Sequence, residues 1–558
     1  MSIEYFVEGK ATLQTGGDNR TFAKEGIDHN SAVSVEQKGN TTGVNYNKAE
    51  TVNPNDKPVN TIDVDLNLFF DGTQNNKSNT EAGTDSPSSN GSDSYANDFS
   101  NVARGYDAIN SSADKQVAVY IEGIGTVDGR RDTMKWFADY PNNVGSPLGQ
   151  GDRGVEAKVT KGCLTGTESL AKKFKGKEID TLRINVYGFS RGATAARHFV
   201  HVATSTKRAV LDEDTGKYVV YAAKWFEQSV EDEQNKRNNQ QNVEVSYEDR
   251  NHTFLQSYGF FGACLLKNKI KVKKVVFNFI GLYDTVASFG MNHKGFKVGP
   301  ISVIDTDAEQ LGLNAVRQAN FTLQIASDDE YRENFSLTDI NSTGIKGLEF
   351  KLPGVHSDIG GSYKDGAEEK ANVFKGTLED CKKMKEILEE EGWFSPGQLE
   401  IFEIDKSIFG YSYSTKYELR GTRKLSNHYD KIPLKQMFHY SKQFDVQYVE
   451  SLVKDNEITN PDVKNAYGQL LGYMNQCNDI RNRYVNEYNK GGNASIANYQ
   501  SEIKALSYLS IIDQEILKKL RNGFFHWSVN VGEGGTGMGP HVNGALAASK
   551  RKRYIIPG

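Results

Sequence analysis

Cysteine is scarce in this chain of 558 residues: the four present, Cys163, Cys264, Cys381 and Cys477, lie far apart with no C-x-x-C pair. That spacing suggests neither a zinc site nor a disulfide framework, and it fits synthesis in a reducing compartment. Net charge is nearly absent too. With 67 basic and 72 acidic residues the formal charge is −5, which offers no global pull toward nucleic acid, so no nucleic-acid partner is expected. No apolar run approaches the length needed to span a bilayer, and Met1 to Ala11 lacks a basic segment followed by an apolar one. Neither a transmembrane segment nor a signal peptide is therefore expected. Nothing in the motifs below asks for a cofactor or a metal, and none is expected. What the chain does have is length, more than one core usually supports, so one elaborated domain or two are anticipated.

The most informative stretch is Thr181 to Val200, TLRINVYGFSRGATAARHFV. Leu182, Ile184 and Val186 alternate with polar neighbours and run into Gly188, the pattern of a strand that ends at a tight turn. From Ser190 onward Ala193, Ala195, Ala196, Phe199 and Val200 fit a helix of small and apolar residues. Gly188-Phe189-Ser190-Arg191-Gly192 has the G-x-S-x-G spacing of a nucleophile elbow, with the strand before it and the helix after it that the motif requires. The turn exposes the Ser190 hydroxyl, and the two glycines remove side chains that would collide at the corner. The Arg191 amide is then placed to stabilise an oxyanion at the helix N-terminus. A serine that merely caps a helix is the plain alternative.

Other segments supply what a serine nucleophile needs. Asp63 to Phe70, DVDLNLFF, reads as a buried strand running into the polar loop Asp71-Gly72-Thr73-Gln74-Asn75-Asn76. A haloacid-dehalogenase reading of Asp-Gly-Thr fails, because its nucleophile would fall on Phe69. The loop suits a second oxyanion donor from the backbone around Gly72 and Thr73, with Asp71 orienting it. Residues 76 to 98 read as surface loop. Gln116 to Gly125 reads as a strand, Gly154 to Phe174 as a helix, and the alternation implies a mainly parallel sheet with crossover helices. Val272 to Asp284, VKKVVFNFIGLYD, is a strongly apolar strand with Asp284 at its carboxyl end, where open α/β sheets place their chemistry. A triad needs such a carboxylate behind its histidine, although an aspartate capping a helix from Thr285 is the plain alternative. After a short strand, Leu348 to Pro353, His356 lies in the glycine-rich loop GVHSDIGG, suited to a general base. The order Ser190, Asp284, His356 is that of α/β-hydrolases. Asp358 beside His356 is a rival acid, and His526 in FFHWS a rival base. His198 and His201 imitate a metal pair without a third ligand.

Taken together, FFDGTQNN, GFSRGA, GLYDTVASFG, GVHSDIGGSY and FFHWSVN resemble the type VI secretion phospholipase effectors of the first Tle family, over residues 62 to 556. The resemblance implies an α/β-hydrolase core with a helical, membrane-associating portion, phospholipase A activity and delivery into rival cells. It supports Ser190 as nucleophile, His356 as base and Asp284 as acid. Secretion-apparatus components, the phospholipid surface of the target cell and a cognate immunity protein are the implied partners, with the target periplasm as destination.

The expected layout is a polar leader over 1–60, an α/β core with insertions over 61–363, a helical region over 364–530 and a C-terminal segment over 531–558. Within the helical region Glu379 to Glu391 reads as a charged helix. Ile503, Leu506, Leu509, Ile512, Ile516 and Leu520 recur as an apolar stripe on another, and Ile401 to Tyr417 is rich in aromatics. The stripe suits packing or lipid contact. The basic run Lys550 to Arg553 reads as a solvated tail or a contact to anionic lipid. Two competing functions are a soluble-substrate esterase and a catalytically silent hydrolase fold serving a secretion apparatus.

Overall fold

The described residues of the protein, in a computed structural model, are 61–89, 92–132, 151–234, 241–287, 297–298, 301–302, 311–332, 334–404, 407–408, 411–412, 416–492, 495–531 and 551–558. The leader 1–60 and residues 532–550 of the C-terminal segment lie outside the described residues. Ile62–Gly558 forms a unit of its own.

Six strands build its central sheet: β1 (Thr61–Phe70), β2 (Gln116–Ile121), β3 (Glu178–Phe189), β4 (Val272–Tyr283), β5 (Phe321–Ser327) and β6 (Gly347–Leu352). They lie in the order β6-β5-β4-β3-β1-β2. The pairs β1/β2, β3/β4, β4/β5 and β5/β6 are parallel. Arg183 bonds to Asp65 and Asn185 to Asn67, both across 118 residues, so β1 and β3 advance together as well.

Both faces of the sheet are covered, which is why the strands read as near-continuous apolar runs. Leu66, Leu68, Phe70, Ile184 and Val186 pack on one face with residues of α2 (Val155–Lys173), α3 (Arg191–Val202) and α4 (Thr253–Lys267). Phe69, Tyr187 and Phe279 pack on the other with α1 (Asn101–Ala108) and the later helices. There Phe69 and Tyr187 stack at 4.4 Å. The sheet also carries a buried polar ladder. Asn67 donates to the Val117 carbonyl, Asn185 to Asn67, Asn278 to Asn185 and Asn320 to Asn278, at 3.0 to 3.3 Å, so each buried amide finds a partner on the next strand or its flank.

The chain leaves β1 toward the α1 face and leaves β3 toward the α3 face. The carboxyl ends of β1 and β3 therefore flank a topological switch point, the place where open α/β sheets hold ligands. The expected surface loop at 76–98 is more ordered than its composition implied: Lys77–Ala82 and Asp93–Ala96 are short helices, and Asn79 is buried between Asn76, Ser94 and the Val127 carbonyl.

Beyond Lys364 the region is helical, with α5 (Leu378–Glu390), α6 (Lys431–Lys442), α7 (Pro461–Asn489), α8 (Ile496–Ala505) and α9 (Gln514–Gly523). It also contains a three-stranded antiparallel sheet of β7 (Ala367–Gly376), β8 (Leu399–Ile404) and β9 (Lys416–Leu425), with β9 in the middle. The aromatic-rich span 401–417 thus runs from β8 into β9. The stripe from Ile503 to Leu520 does not lie on one helix. Ser507 turns its hydroxyl to the Leu509 amide, and Asp513 caps α9 by accepting from Glu515 and Ile516. Ile512 and Leu520 are buried, and Ile503, Leu506 and Ile516 pack against the same core, so those members of the stripe face protein; Leu509 is exposed.

Candidate active site

Ser190 joins β3 to α3 with φ 58° and ψ −127°, a left-handed conformation that an L residue holds only when its surroundings impose it. The imposition is visible in the glycines. A Cβ on Gly188 would stand 2.4 Å from the Gly192 carbonyl oxygen, and one on Gly192 would stand 2.2 Å from the Asp71 oxygen. The Ser190 amide donates to the Tyr283 carbonyl at 3.0 Å, which ties the turn to the end of β4. Immediately beyond, Asp284 also has positive φ, 49°, and no helix begins at Thr285 among the described residues.

Asp284 is fully buried and heavily hydrogen-bonded. Its Oδ1 accepts from the Ser327 amide at 2.8 Å and from Arg553 Nη1, and its Oδ2 accepts from Ser327 Oγ at 3.0 Å. Oδ2 also meets His356 Nδ1 at 2.5 Å. Burial by itself would raise the pKa of this carboxyl, but Arg553 and His356 outweigh it and hold Asp284 well below the usual carboxylate range. His356 opens the short helix His356–Gly360 just after β6. Its pKa is lowered, first by burial and then by Arg332 and Arg553, against the opposing pull of Asp284. Its ring packs 4.7 Å from that of Phe189, the residue before Ser190. The structure thus gathers Ser190, Asp284 and His356 at the carboxyl edge of the sheet. With Nδ1 committed to Asp284, Nε2 is the ring nitrogen left for chemistry.

The rivals are paired with each other. His526 Nδ1 meets Asp358 Oδ1 at 2.8 Å, Asp358 Oδ2 accepts from the His526 and Val355 amides, and Tyr363 stacks on the His526 ring. His526 lines a separate cavity of about 60 Å3 with Asp329, Tyr331 and Trp393, and none of Ser190, Asp284 or His356 borders it. His198 is bound through Nδ1 to the Leu311 carbonyl.

The loop after β1 abuts the elbow: a Cβ on Gly72 would lie 2.5 Å from the Phe189 ring. Asp71 organises this loop, accepting from the Gly72 amide at 2.7 Å, Ser100 Oγ at 2.6 Å and the Tyr120 hydroxyl at 2.6 Å. Burial pushes its pKa up to about 6, with those three donors opposing. The Gly72 amide is therefore already occupied by Asp71. The Thr73 hydroxyl is buried without a hydrogen-bond partner among the described residues.

Sequence reasoning missed Arg553. The basic run reads as a solvated tail or a contact to anionic lipid, yet Ile555–Ile556 pairs as a parallel strand with Leu337–Thr338 and draws the arginines inward. Arg551 grips Glu391, and Arg553 reaches Asp284, Ser327 Oγ at 2.9 Å and the Phe335 carbonyl at 2.6 Å. The only signal was a pair of isoleucines after a basic run.

A mainly parallel sheet with crossover helices and an elbow at its switch point defines an α/β-hydrolase-like fold. Residues 65–383 match the catalytic-domain model of the type VI secretion phospholipase effectors described as Tle1-like, and the chain belongs to that family. It is accordingly a lipid ester hydrolase of the antibacterial effector class. Among solved structures, a Tle1 effector bound to the VgrG spike of the type 6 secretion system is similar at 16% identity, over 87% of this chain and 90% of that one, with a TM-score of 0.46. An uncharacterized protein from Pseudomonas aeruginosa is similar at 17% identity, over 75% of this chain and 50% of that one, with a TM-score of 0.32. No curated protein matches. Among the described residues no helix is long and apolar enough to cross a membrane.

Proposed function

We propose that the protein is a serine-dependent phospholipase A. Ser190 attacks the acyl carbonyl, His356 takes the serine proton through Nε2 and later returns it to the leaving alcohol, and Asp284 fixes the imidazole tautomer and stabilises the imidazolium. The lowered pKa of His356 keeps the imidazole neutral and able to accept at neutral pH. The Arg191 amide and Thr73 receive the oxyanion, at the positive end of α3. The observation that carries this reading is the 2.5 Å contact between His356 and Asp284 beside the strained Ser190 turn. Nucleophile, base and acid come from three separate strand ends, an arrangement a merely structural fold has no need to assemble.

Family membership extends the reading to the setting. The enzyme is made in the cytoplasm, carried by a component of the secretion apparatus into the periplasm of a rival cell, and neutralised in siblings by a cognate immunity protein. A VgrG spike, the partner in the solved Tle1 complex, is the component to test by co-purification. Contact with the bilayer falls to the region after Lys364. The deciding experiment compares wild type and Ser190→Ala on phospholipid vesicles and on short-chain soluble esters. Wild type should release fatty acid and lysophospholipid from the vesicles, and Ser190→Ala should release neither. Hydrolysis by wild type of soluble esters alone would favour the soluble esterase, and inactivity on both would favour a binding component.

A further inference from the structure

Two arginines on α3 are treated in opposite ways. Arg197 is fully buried and fully satisfied, donating through Nε to the Leu313 carbonyl at 3.0 Å, through Nη1 to Thr338 at 3.0 Å and through Nη2 to Asp339 at 2.9 Å. Arg191, at the first turn of the same helix, makes no side-chain hydrogen bond, ion pair or ring contact among the described residues. Its side chain is part-buried, and its Nη1 is sealed from solvent with no acceptor among the described residues. Burial lowers the guanidinium pKa to about 10, with no carboxylate among the described residues to oppose it. A guanidinium nitrogen sealed from water without an acceptor works against folding rather than for it.

The position of that cation is what gives it meaning. Its Cα adjoins that of the nucleophile, about 3.8 Å away across one peptide. The loop that carries Thr73, whose buried hydroxyl has no partner among the described residues, abuts this junction: a Cβ on Gly192 would stand 2.2 Å from the Asp71 carbonyl oxygen and one on Gly72 2.5 Å from the Phe189 ring. An oxyanion formed at Ser190 takes its bonds from amides and leaves the guanidinium free. In a glycerophospholipid the next anionic group beyond the scissile ester is the phosphodiester, one glycerol unit away. Arginine matches a phosphate with two donors at once, and its weak hydration makes desolvation tolerable.

From the missing partner and this position we infer that the Arg191 guanidinium binds the phosphodiester of the lipid headgroup and sets the preference for phospholipid over neutral glyceride. The inference rests on the serine mechanism proposed above, and it is tested in a way that separates the two. Two sources of anion fit a guanidinium here, the headgroup phosphodiester and the carboxylate of a released fatty acid.

The first measurement is binding without turnover. Ser190→Ala protein is titrated with sn-glycero-3-phosphoglycerol and, separately, with octanoate, following the thermal midpoint. The phosphodiester should raise the midpoint, and the rise should vanish in the Ser190→Ala, Arg191→Met double variant. A rise with octanoate alone would make the site a product-carboxylate site and overturn the headgroup assignment, as would no rise with either. The second measurement is selectivity on phosphatidylglycerol and diacylglycerol in the same mixed micelles. The ratio of their kcat/KM values should fall about 10- to 100-fold in Arg191→Met, the range expected when a charge-assisted bond to substrate is lost, and Arg191→Lys should recover part of it. An unchanged ratio would refute the role of Arg191. If Ser190→Ala itself hydrolyses lipid, the serine mechanism fails while the binding result stands.

Discussion

Arg553→Met is the substitution that best tests how the site is held together. Methionine keeps most of the length and apolar stem of arginine while removing the charge, so the change falls on the guanidinium's bonds to Asp284, Ser327 and Phe335. Asp284 is left with Ser327 and His356, still ionised and 0% exposed. Removing one partner of a buried ion pair costs about 3 to 5 kcal/mol, and the surviving Ser327 bonds argue for the lower end, about 3 kcal/mol at pH 7. The sign with pH follows from the direction of the shift. Asp284 is depressed in the native state, so its contribution is fully present above the unfolded carboxyl pKa of about 3.9 and is lost as pH falls toward the native value. The gap in stability between wild type and Arg553→Met should therefore be widest above about pH 5 and shrink in more acidic buffer. Activity should report the same charge. Arg553 is one of the groups that lower the His356 pKa, so its removal should move the acid limb of kcat/KM upward. Denaturant unfolding and a rate profile between pH 5 and 9 measure both effects. Wild-type stability together with an unmoved acid limb would show that the Arg553 contact carries no weight.

Other expectations follow from the same geometry. His356→Ala should lose about a thousandfold or more in kcat on phospholipid, whereas folded His526→Ala should keep most of its activity; the opposite ranking would transfer the base role to His526. Asn185→Ala strands the Asn67 amide oxygen inside the sheet and should cost about 2 to 3 kcal/mol in denaturant unfolding, while a neutral result would mean that the polar ladder is relaxed by other partners. Directing the wild-type protein to the periplasm with an added signal should kill the cell and Ser190→Ala should not; survival with both would argue against a periplasmic lipid target.

The elements of this fold that were legible in the sequence are those encoded over short distances. Alternation from Leu182 to Val186, the two glycines around Ser190 and the run of alanines after it specify a strand, a corner and a helix. Each of these depends on neighbours within a few residues, through sterics and hydrophobic period. The strand from Val272 to Tyr283 and the helix from Val155 to Lys173 were readable for the same reason. Tertiary structure decided the pairings. In the sequence Asp358 stands two residues from His356 and is the nearer acid; only the packing of β4 beside β5, with β6 on the far side of β5, sends Asp284 to His356, 72 residues away, and leaves Asp358 to His526, 168 residues away. The sheet of β7, β8 and β9 was hidden because β7 and β9 are dense in charged residues, a composition that an exposed helix shares. The stripe from Ile503 to Leu520 kept a helical period across two caps that break it. Arg553 lies 269 residues from Asp284, and nothing local to KRKR distinguishes a solvated tail from one pulled inward by two isoleucines adding to a strand. Short-range sterics determined where a nucleophile could stand; only long-range packing decided which charges surround it, because a buried charge selects its partner by who is near in space.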